Sequence, residues 1–384
     1  MDYISRFEEL KSKNLSLDLT RGKPSPDQLD LSKDLVHSIG DEFIFDGVDI
    51  RNYGEIKGLD SCRKLGSEIL GCSQEYIWAG GNSSLSLMSK FLSFLFVEGN
   101  RGGPWSNQER VSILCPVPGY DRHFKLCETF GINMIPVSLT GQGPDLDEIK
   151  ELVATDNSIK GIWCVPKYSN PTGEVYSSYV IEGLLDIFNN TKNQSVIFWD
   201  NAYAVHDLSS QSHLADIFQI ARNNQCEDLV VQFGSTSKIT FAGSGVAAIG
   251  GSEANMNWVR KQLAISTIGP DKINQVRHTR FFGDFNGLKD HMRKHAALIK
   301  PKFEMVNSIL ENSLGGKGLA QWTNPKGGYF ISLDTNEGCA KRVVSLAAEA
   351  GVKLTAAGAT FPYKNDPRDT NISCLLYTSP SPRD

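Results

Sequence analysis

Short apolar, β-branched runs alternating with longer amphipathic stretches constrain this chain more than any other feature. Residues 111–115, 134–137, 159–165, 196–199 and 229–233 each read as a strand that is apolar on both faces. Segments of helical period, such as 146–153 and 179–189, fall between them. Strand, helix, strand in that order implies right-handed crossovers and a mostly parallel sheet covered by helices on both sides. In such a sheet the functional side chains gather beyond the carboxyl ends of the strands. The residues that follow each run therefore matter most.

Three short sequences stand at those places: Asn170-Pro171-Thr172-Gly173, Asp200-Asn201-Ala202-Tyr203 and Ser235-Thr236-Ser237-Lys238. Asp200 follows Val196-Ile197-Phe198-Trp199 directly. A strand-terminal aspartate most often caps the next turn, but a buried carboxylate there can also hold a proton on a ring nitrogen. Lys238 follows a strand and a hydroxyl-rich turn, and precedes Ala242-Gly243-Ser244-Gly245. A lysine so placed differs from a solvated loop lysine: its amine can attack an aldehyde. Ser235 and Ser237 can donate to a phosphate that small neighbours let approach. An amine, an acid and a set of donors in series are what a pyridoxal phosphate (PLP) enzyme requires, since PLP acts as an electron sink.

On these residues the chain resembles the fold type I PLP-dependent aminotransferases, and within them the aspartate aminotransferase subgroup Ic. The resemblance runs from Leu17-Asp18-Leu19-Thr20-Arg21-Gly22-Lys23-Pro24 to about Ile372. It implies that Lys238 is the Schiff-base lysine, that Asp200 pairs with the pyridine nitrogen, and that Asn170 and Tyr203 bond the ring oxygen. It further implies that Gly81-Asn82-Ser83 opens a helix onto the cofactor phosphate, that Tyr120 stacks on the ring, and that His123 backs Asp200. Tyr53 is similar to the tyrosine that reaches the phosphate of the neighbouring subunit, which implies a homodimer with shared sites. Gly22 and Arg21 match a substrate-lining loop, where Arg21 or Lys23 can meet a second carboxylate or remain a surface charge. Pro325-Lys326-Gly327-Gly328-Tyr329-Phe330 resembles the entry to a small-domain sheet.

The implied division is a PLP-binding large domain over 46–270 and a smaller α+β domain built from 1–45 and 271–373. A helical run at 285–310 joins them, Gly315-Gly316-Lys317-Gly318 forms a turn, and a glycine-stopped helix is expected at 343–351. Two departures from the family pattern stand out. Members usually carry an arginine eight positions after the lysine to neutralise the phosphate, and here that position is Val246. They also carry a carboxylate-gripping arginine just after the segment matching Asn371-Ile372, and here Ser373 follows. Residues 374–384 read codon for codon as a transposase-type sequencing-library adapter, whose first base completes a cut arginine codon to serine. The expectation is that the gene was interrupted there and that 374–384 do not belong to the fold; a native Ser/Pro-rich tail is the other reading.

The 384 residues allow two or three domains. With 39 Lys+Arg against 44 Asp+Glu and a formal net charge of −5, no basic surface points to nucleic acid. No apolar stretch approaches the ~18 residues a membrane helix needs, and the N-terminal segment is charged and amphipathic, unlike a signal peptide. A cytoplasmic enzyme is expected. The eight cysteines lack metal or disulfide spacing; Cys115 and Cys164 read as core residues. His206, His213, His278, His291 and His295 show no ligand pattern and read as surface or structural.

The leading function is transamination of aspartate with 2-oxoglutarate, giving oxaloacetate and glutamate, with Lys238 also moving the proton at the α-carbon. A transaminase for another amino acid or a PLP lyase is the alternative on the same scaffold. A PLP-binding regulatory domain is the least favoured, because such proteins place a winged helix before this scaffold.

Overall fold

The computed structural model describes residues 2–375 except Arg21, Lys23, Arg101, Lys192, Ser210 and Gln211, with side chains to Ser373. Arg21 and Lys23, both candidates for a substrate carboxylate, lie outside the described residues. So do 376–384 of the adapter-like segment; its first two residues, Cys374 and Leu375, pair with Ile331 and Phe330 in a strand, contrary to the expectation that the whole of 374–384 lies outside the fold.

Seven strands form the main sheet: β1 (Ile77–Ala79), β2 (Ser112–Val117), β3 (Asn133–Ser138), β4 (Ile159–Cys164), β5 (Val196–Asp200), β6 (Val230–Ser235) and β7 (Ala247–Gly251). Their order is β1-β7-β6-β5-β4-β2-β3. β3, β2, β4, β5 and β6 pair in parallel, and β7 is inserted antiparallel to both β6 and β1. Burial on both faces explains the unbroken apolar runs: every residue of β5, including Asp200, is buried. Alternation sends Ile197 and Trp199 into the core on one side and Val196 and Phe198 into the core on the other. On the second side the helix Ser84–Val97 lays Phe91 edge-on to Phe198 and Phe233, at 5.8 and 5.9 Å.

The expected strand at 229–233 is observed one residue later. Leu229 closes a short 3-10 turn, Glu227–Leu229, before β6 begins. The long helix spans Phe285–Leu314, beyond the 285–310 expected. A second sheet orders β8 (Ala320–Trp322), β9 (Phe330–Thr335) and β10 (Asn371–Leu375) antiparallel. Leu17–Asp18 pairs in parallel with Val352–Lys353, so the N-terminal segment joins the later chain. The helix Ala340–Glu349 stops before Gly351, whose φ is +83° and where a Cβ would meet the Leu15 carbonyl oxygen at 2.0 Å. That contact makes glycine obligatory there. Ile299 and Phe303 of the long helix pack with Tyr329, Ile331, Tyr168 and Tyr203, which ties the second sheet to the loop after β5.

No helix among the described residues is long and apolar enough to cross a membrane. Cys115 and Cys164 are fully buried core residues.

Candidate active site

Asp200 is the last residue of β5 and is 3% exposed. Its Oδ2 accepts from His123 Nε2 at 3.0 Å. His123 sits on the helix Asp121–Thr129, stacked on Trp163 at 4.3 Å and edge-on to Tyr120 at 5.0 Å. The stacking fixes the plane of the imidazole. The other oxygen, Oδ1, is buried with no hydrogen-bond partner among the described residues. A buried carboxylate oxygen without a donor costs several kcal/mol in a folded protein (~1–3 kcal/mol or more for a charged group), so the site is built for a donor supplied from outside the chain. A protonated ring nitrogen is such a donor.

Lys238 lies beyond β6. Its Nζ donates to the Tyr203 hydroxyl at 3.0 Å and stands 4.2 Å from the Tyr203 ring and 5.9 Å from that of Tyr120. Against a larger opposing effect of burial, Asn170 favours the ionised form of the Tyr203 phenol. Burial, and after it the Asp200 charge, push the Tyr203 phenol far above its ordinary value. Burial likewise raises Tyr120 to about 12. Both phenols are therefore neutral hydroxyls at any physiological pH, able to donate to an oxyanion.

The turn before Lys238 is stitched to the turn that opens the helix Ser84–Val97. Ser235 Oγ donates to Ser237 Oγ at 3.1 Å, and Ser237 Oγ donates to the Asn82 carbonyl at 2.7 Å. Asn82 Nδ2 donates to the Gly243 carbonyl at 3.3 Å. Gly81 adopts φ +71°, which bends the chain into the helix. Ser83 occupies the cap position without a side-chain capping bond, and no acidic residue lies in the first turn. An anion there meets free amide donors.

Val246 contributes no charge. Its side chain is buried in the apolar core, and its N–H donates to Thr236 Oγ1 at 2.9 Å. Tyr53 is 79% exposed, on a segment anchored where Lys272 Nζ donates to the Gly54 carbonyl at 3.1 Å. Within one chain it stands apart from the group around Lys238. Gly22 lies on the N-terminal segment, near Thr20, whose carbonyl accepts from Thr355.

Sequence reasoning passed over two groups that the fold brings to Lys238. Tyr329 Oη donates to the Lys238 carbonyl at 2.8 Å, and His206 Nε2 lies 3.3 Å from the same oxygen. The Gly327-Gly328 pair before Tyr329 was the available signal. A Cβ on Gly327 would meet the Tyr168 ring at 2.2 Å, so glycine there is what lets β9 enter against the site. His206, His278, His291 and His295 are buried and structural, and His213 is exposed.

Known proteins match this arrangement along its length. The family model described as aspartate amino-transferase matches residues 2–382. A provisional aminotransferase of Mycolicibacterium smegmatis is 48% identical over 95% of this chain and 87% of its own length. An aspartate aminotransferase of Corynebacterium glutamicum is 45% identical over 97% of this chain and 87% of its own length. The crystal structure of an aspartate transaminase from the same organism superposes with a TM-score of 0.95 at 44% identity, covering 98% of this chain and 90% of that one.

Proposed function

Because this chain belongs to the aspartate amino-transferase family, whose cofactor is pyridoxal 5′-phosphate, we propose that it transfers the amino group of L-aspartate to 2-oxoglutarate. The products are oxaloacetate and L-glutamate. The observation that carries the reading is the orphaned Asp200 Oδ1, buried beside a bonded His123 and in one site with the Lys238–Tyr203 pair. The residues fit the cofactor: Asp200 for the ring nitrogen, Asn170 and Tyr203 for the ring oxygen, and Tyr120 for the ring face. Asn82, Ser83, Ser235 and Ser237 fit the phosphate. When bound, the cofactor supplies an electron sink for charge developing at the substrate α-carbon.

The chain's own groups do the rest. Asp200 keeps negative charge where the ring nitrogen must stay protonated, and His123 prevents that carboxylate from rotating away. Lys238 Nζ, oriented by Tyr203, holds and moves the proton at the substrate α-carbon. The amides of the Ser84–Val97 helix would meet the phosphate charge that an arginine at Val246 would otherwise meet, joined by Ser235 and Ser237 once their hydroxyls turn from Ser237 and the Asn82 carbonyl.

We assign the chain to subgroup Ic, with residues 46–270 as the cofactor domain and 1–45 with 271–373 as the smaller one. It acts in the cytoplasm as a homodimer in which Tyr53 completes the neighbouring site. Residues 374–384 take no part in this reading. Resequencing the source DNA tests their origin: an arginine codon at 373 followed by different sequence supports adapter read-through, and independent genomic reads through the same tail refute it.

The activity test is a coupled assay of the PLP-loaded protein with a panel of amino acids and 2-oxoglutarate. Oxaloacetate from aspartate, with alanine unreactive, supports the proposal. Release of ammonia and a 2-oxo acid without an amino acceptor selects a lyase instead. Lys238→Ala should abolish the visible absorbance of bound cofactor while leaving the fold intact; borohydride fixing the cofactor to a different lysine refutes the assignment.

A further inference from the structure

The backbone carbonyl of Lys238 is held by side chains. Lys238 sits in a single turn in which the N–H groups of Ile239 and Thr240 both return to the Thr236 carbonyl, at 2.8 and 2.9 Å. No backbone N–H among the described residues reaches the Lys238 carbonyl itself. Its bonds come from Tyr329 Oη at 2.8 Å and His206 Nε2 at 3.3 Å. A carbonyl can only accept, so His206 carries its hydrogen on Nε2. Burial lowers that ring to about 3 and keeps it neutral.

Tyr329 also bears on the other end of the lysine. Its ring is edge-on to that of Tyr203 at 5.6 Å, and the Tyr203 hydroxyl is what accepts from Lys238 Nζ. It is edge-on to His206 as well, at 5.0 Å. Tyr329 is 1% exposed and packs among Tyr168, Ile299, Phe303 and Ile331, which fixes the ring in place. The chain just before it is bonded to the loop that carries His206. The Leu208 N–H donates to the Lys326 carbonyl at 3.0 Å, and the Gly328 N–H donates to the His206 carbonyl at 2.9 Å. Gly328 has φ +77°, and a Cβ there would stand 2.9 Å from the Tyr168 Cβ. One short ladder thus sets both donors, and they converge on one oxygen.

We propose that Tyr329 is a positioning residue for Lys238: its hydroxyl fixes the lysine carbonyl while its ring backs Tyr203, which receives the amine. The entry to β9 thereby sets the lysine at both ends, with His206 as the longer second bond to the same oxygen. This inference rests on the reading of Lys238 as the cofactor-bearing amine. Tyr329 acts through where the lysine stands.

The test uses the full chain, with PLP bound and with PLP removed. Tyr329→Phe keeps the ring and deletes the hydroxyl. In the loaded enzyme kcat should fall about tenfold through misaiming of the lysine, while KM for the amino donor stays within about twofold, because substrate contacts are unchanged. In the PLP-free protein, covalent capture of added PLP, followed as growth of visible absorbance, should slow by a similar factor while the absorbance reached at saturation is unchanged. A merely structural role would lower that final absorbance and leave the rate of capture alone. His206→Phe approaches the same oxygen from the other side and serves if Tyr329→Phe does not fold. Nδ1 of His206 has no partner among the described residues, so this change removes one side-chain bond; the losses should be smaller, about threefold. Wild-type kcat and capture rate in both variants, or a KM that rises by the factor by which kcat falls, overturns the proposal. The capture measurement is independent of which amino acid is the donor. Lys238→Ala separates this inference from the reading beneath it. If that variant loses the visible absorbance, wild-type behaviour of the Tyr329 and His206 variants removes this inference alone; if it keeps the absorbance, the assignment of Lys238 itself fails.

Discussion

At the scale of single residues, Asp200 shows how a charge can be buried without being wasted. One oxygen is satisfied by His123 and the other has no donor among the described residues. Asparagine has nearly the same shape but different demands. Facing the His123 N–H, its amide must present the carbonyl oxygen there, which turns the NH2 toward the place of the ring nitrogen. Two donors then oppose each other, and the nitrogen loses its proton. Asp200→Asn should still bind PLP, measured by fluorescence titration, but turnover should fall by roughly 10²–10³-fold, the scale seen when one preorganised electrostatic contact is removed. Turnover within a few fold of wild type would show that Asp200 does not face the ring.

At the scale of elements, the buried histidines connect helices to the site and also limit the pH range of the fold. Burial is the first cause in each: it lowers His206 to about 3, His278 and His295 to about 4, and His291 below its ordinary value. In the unfolded chain these rings titrate near 6.5. The unfolded state therefore binds more protons as pH falls below that value, and stability drops progressively from about pH 6.5 toward about pH 4. Each ring contributes at most ~1.4 kcal/mol per pH unit in that window. Urea unfolding midpoints should be level above about pH 7 and decline clearly by about pH 5. A midpoint unchanged across that range would mean that these rings are not held neutral. At this scale β5 and β6 were legible as apolar runs because parallel strands buried on both faces leave no polar alternation. The start of β6 was not, because Leu229 is as apolar as the strand yet closes the preceding turn.

At the scale of the whole molecule, Tyr53 is a site candidate whose side chain is largely exposed within one chain. A tyrosine 79% exposed beside the Lys272–Gly54 anchor suits a site completed by a second copy. Complementation tests this directly. Tyr53→Ala and Lys238→Ala homodimers should each be weak or inactive. Unfolded together and refolded, half of the dimers would pair one of each and restore one site, so activity should return to about a quarter of wild type. Mixtures no more active than their parents would place Tyr53 outside the partner's site.

The residues proposed to carry the chemistry were open to reading from the sequence because each follows a strand. Asn170, Asp200 and Lys238 need only the alternation of strand and helix to be brought to one edge of the sheet, and that alternation is local and repeated. The groups that hold Lys238 in place were not open in the same way. Tyr329 reaches it from 91 residues further on, and His206 from 32 residues before it. Neither pair leaves a periodic trace, because a hydrogen bond between distant elements depends on how two packed layers meet. His206, His291 and His295 looked like scattered histidines until burial and geometry set His206 and His291 against backbone carbonyls and His295 between Gln28 and His291. Local patterning set the sheet and the reactive amine at its edge; close packing of β9 and the loop after β5 decided how firmly that amine is aimed.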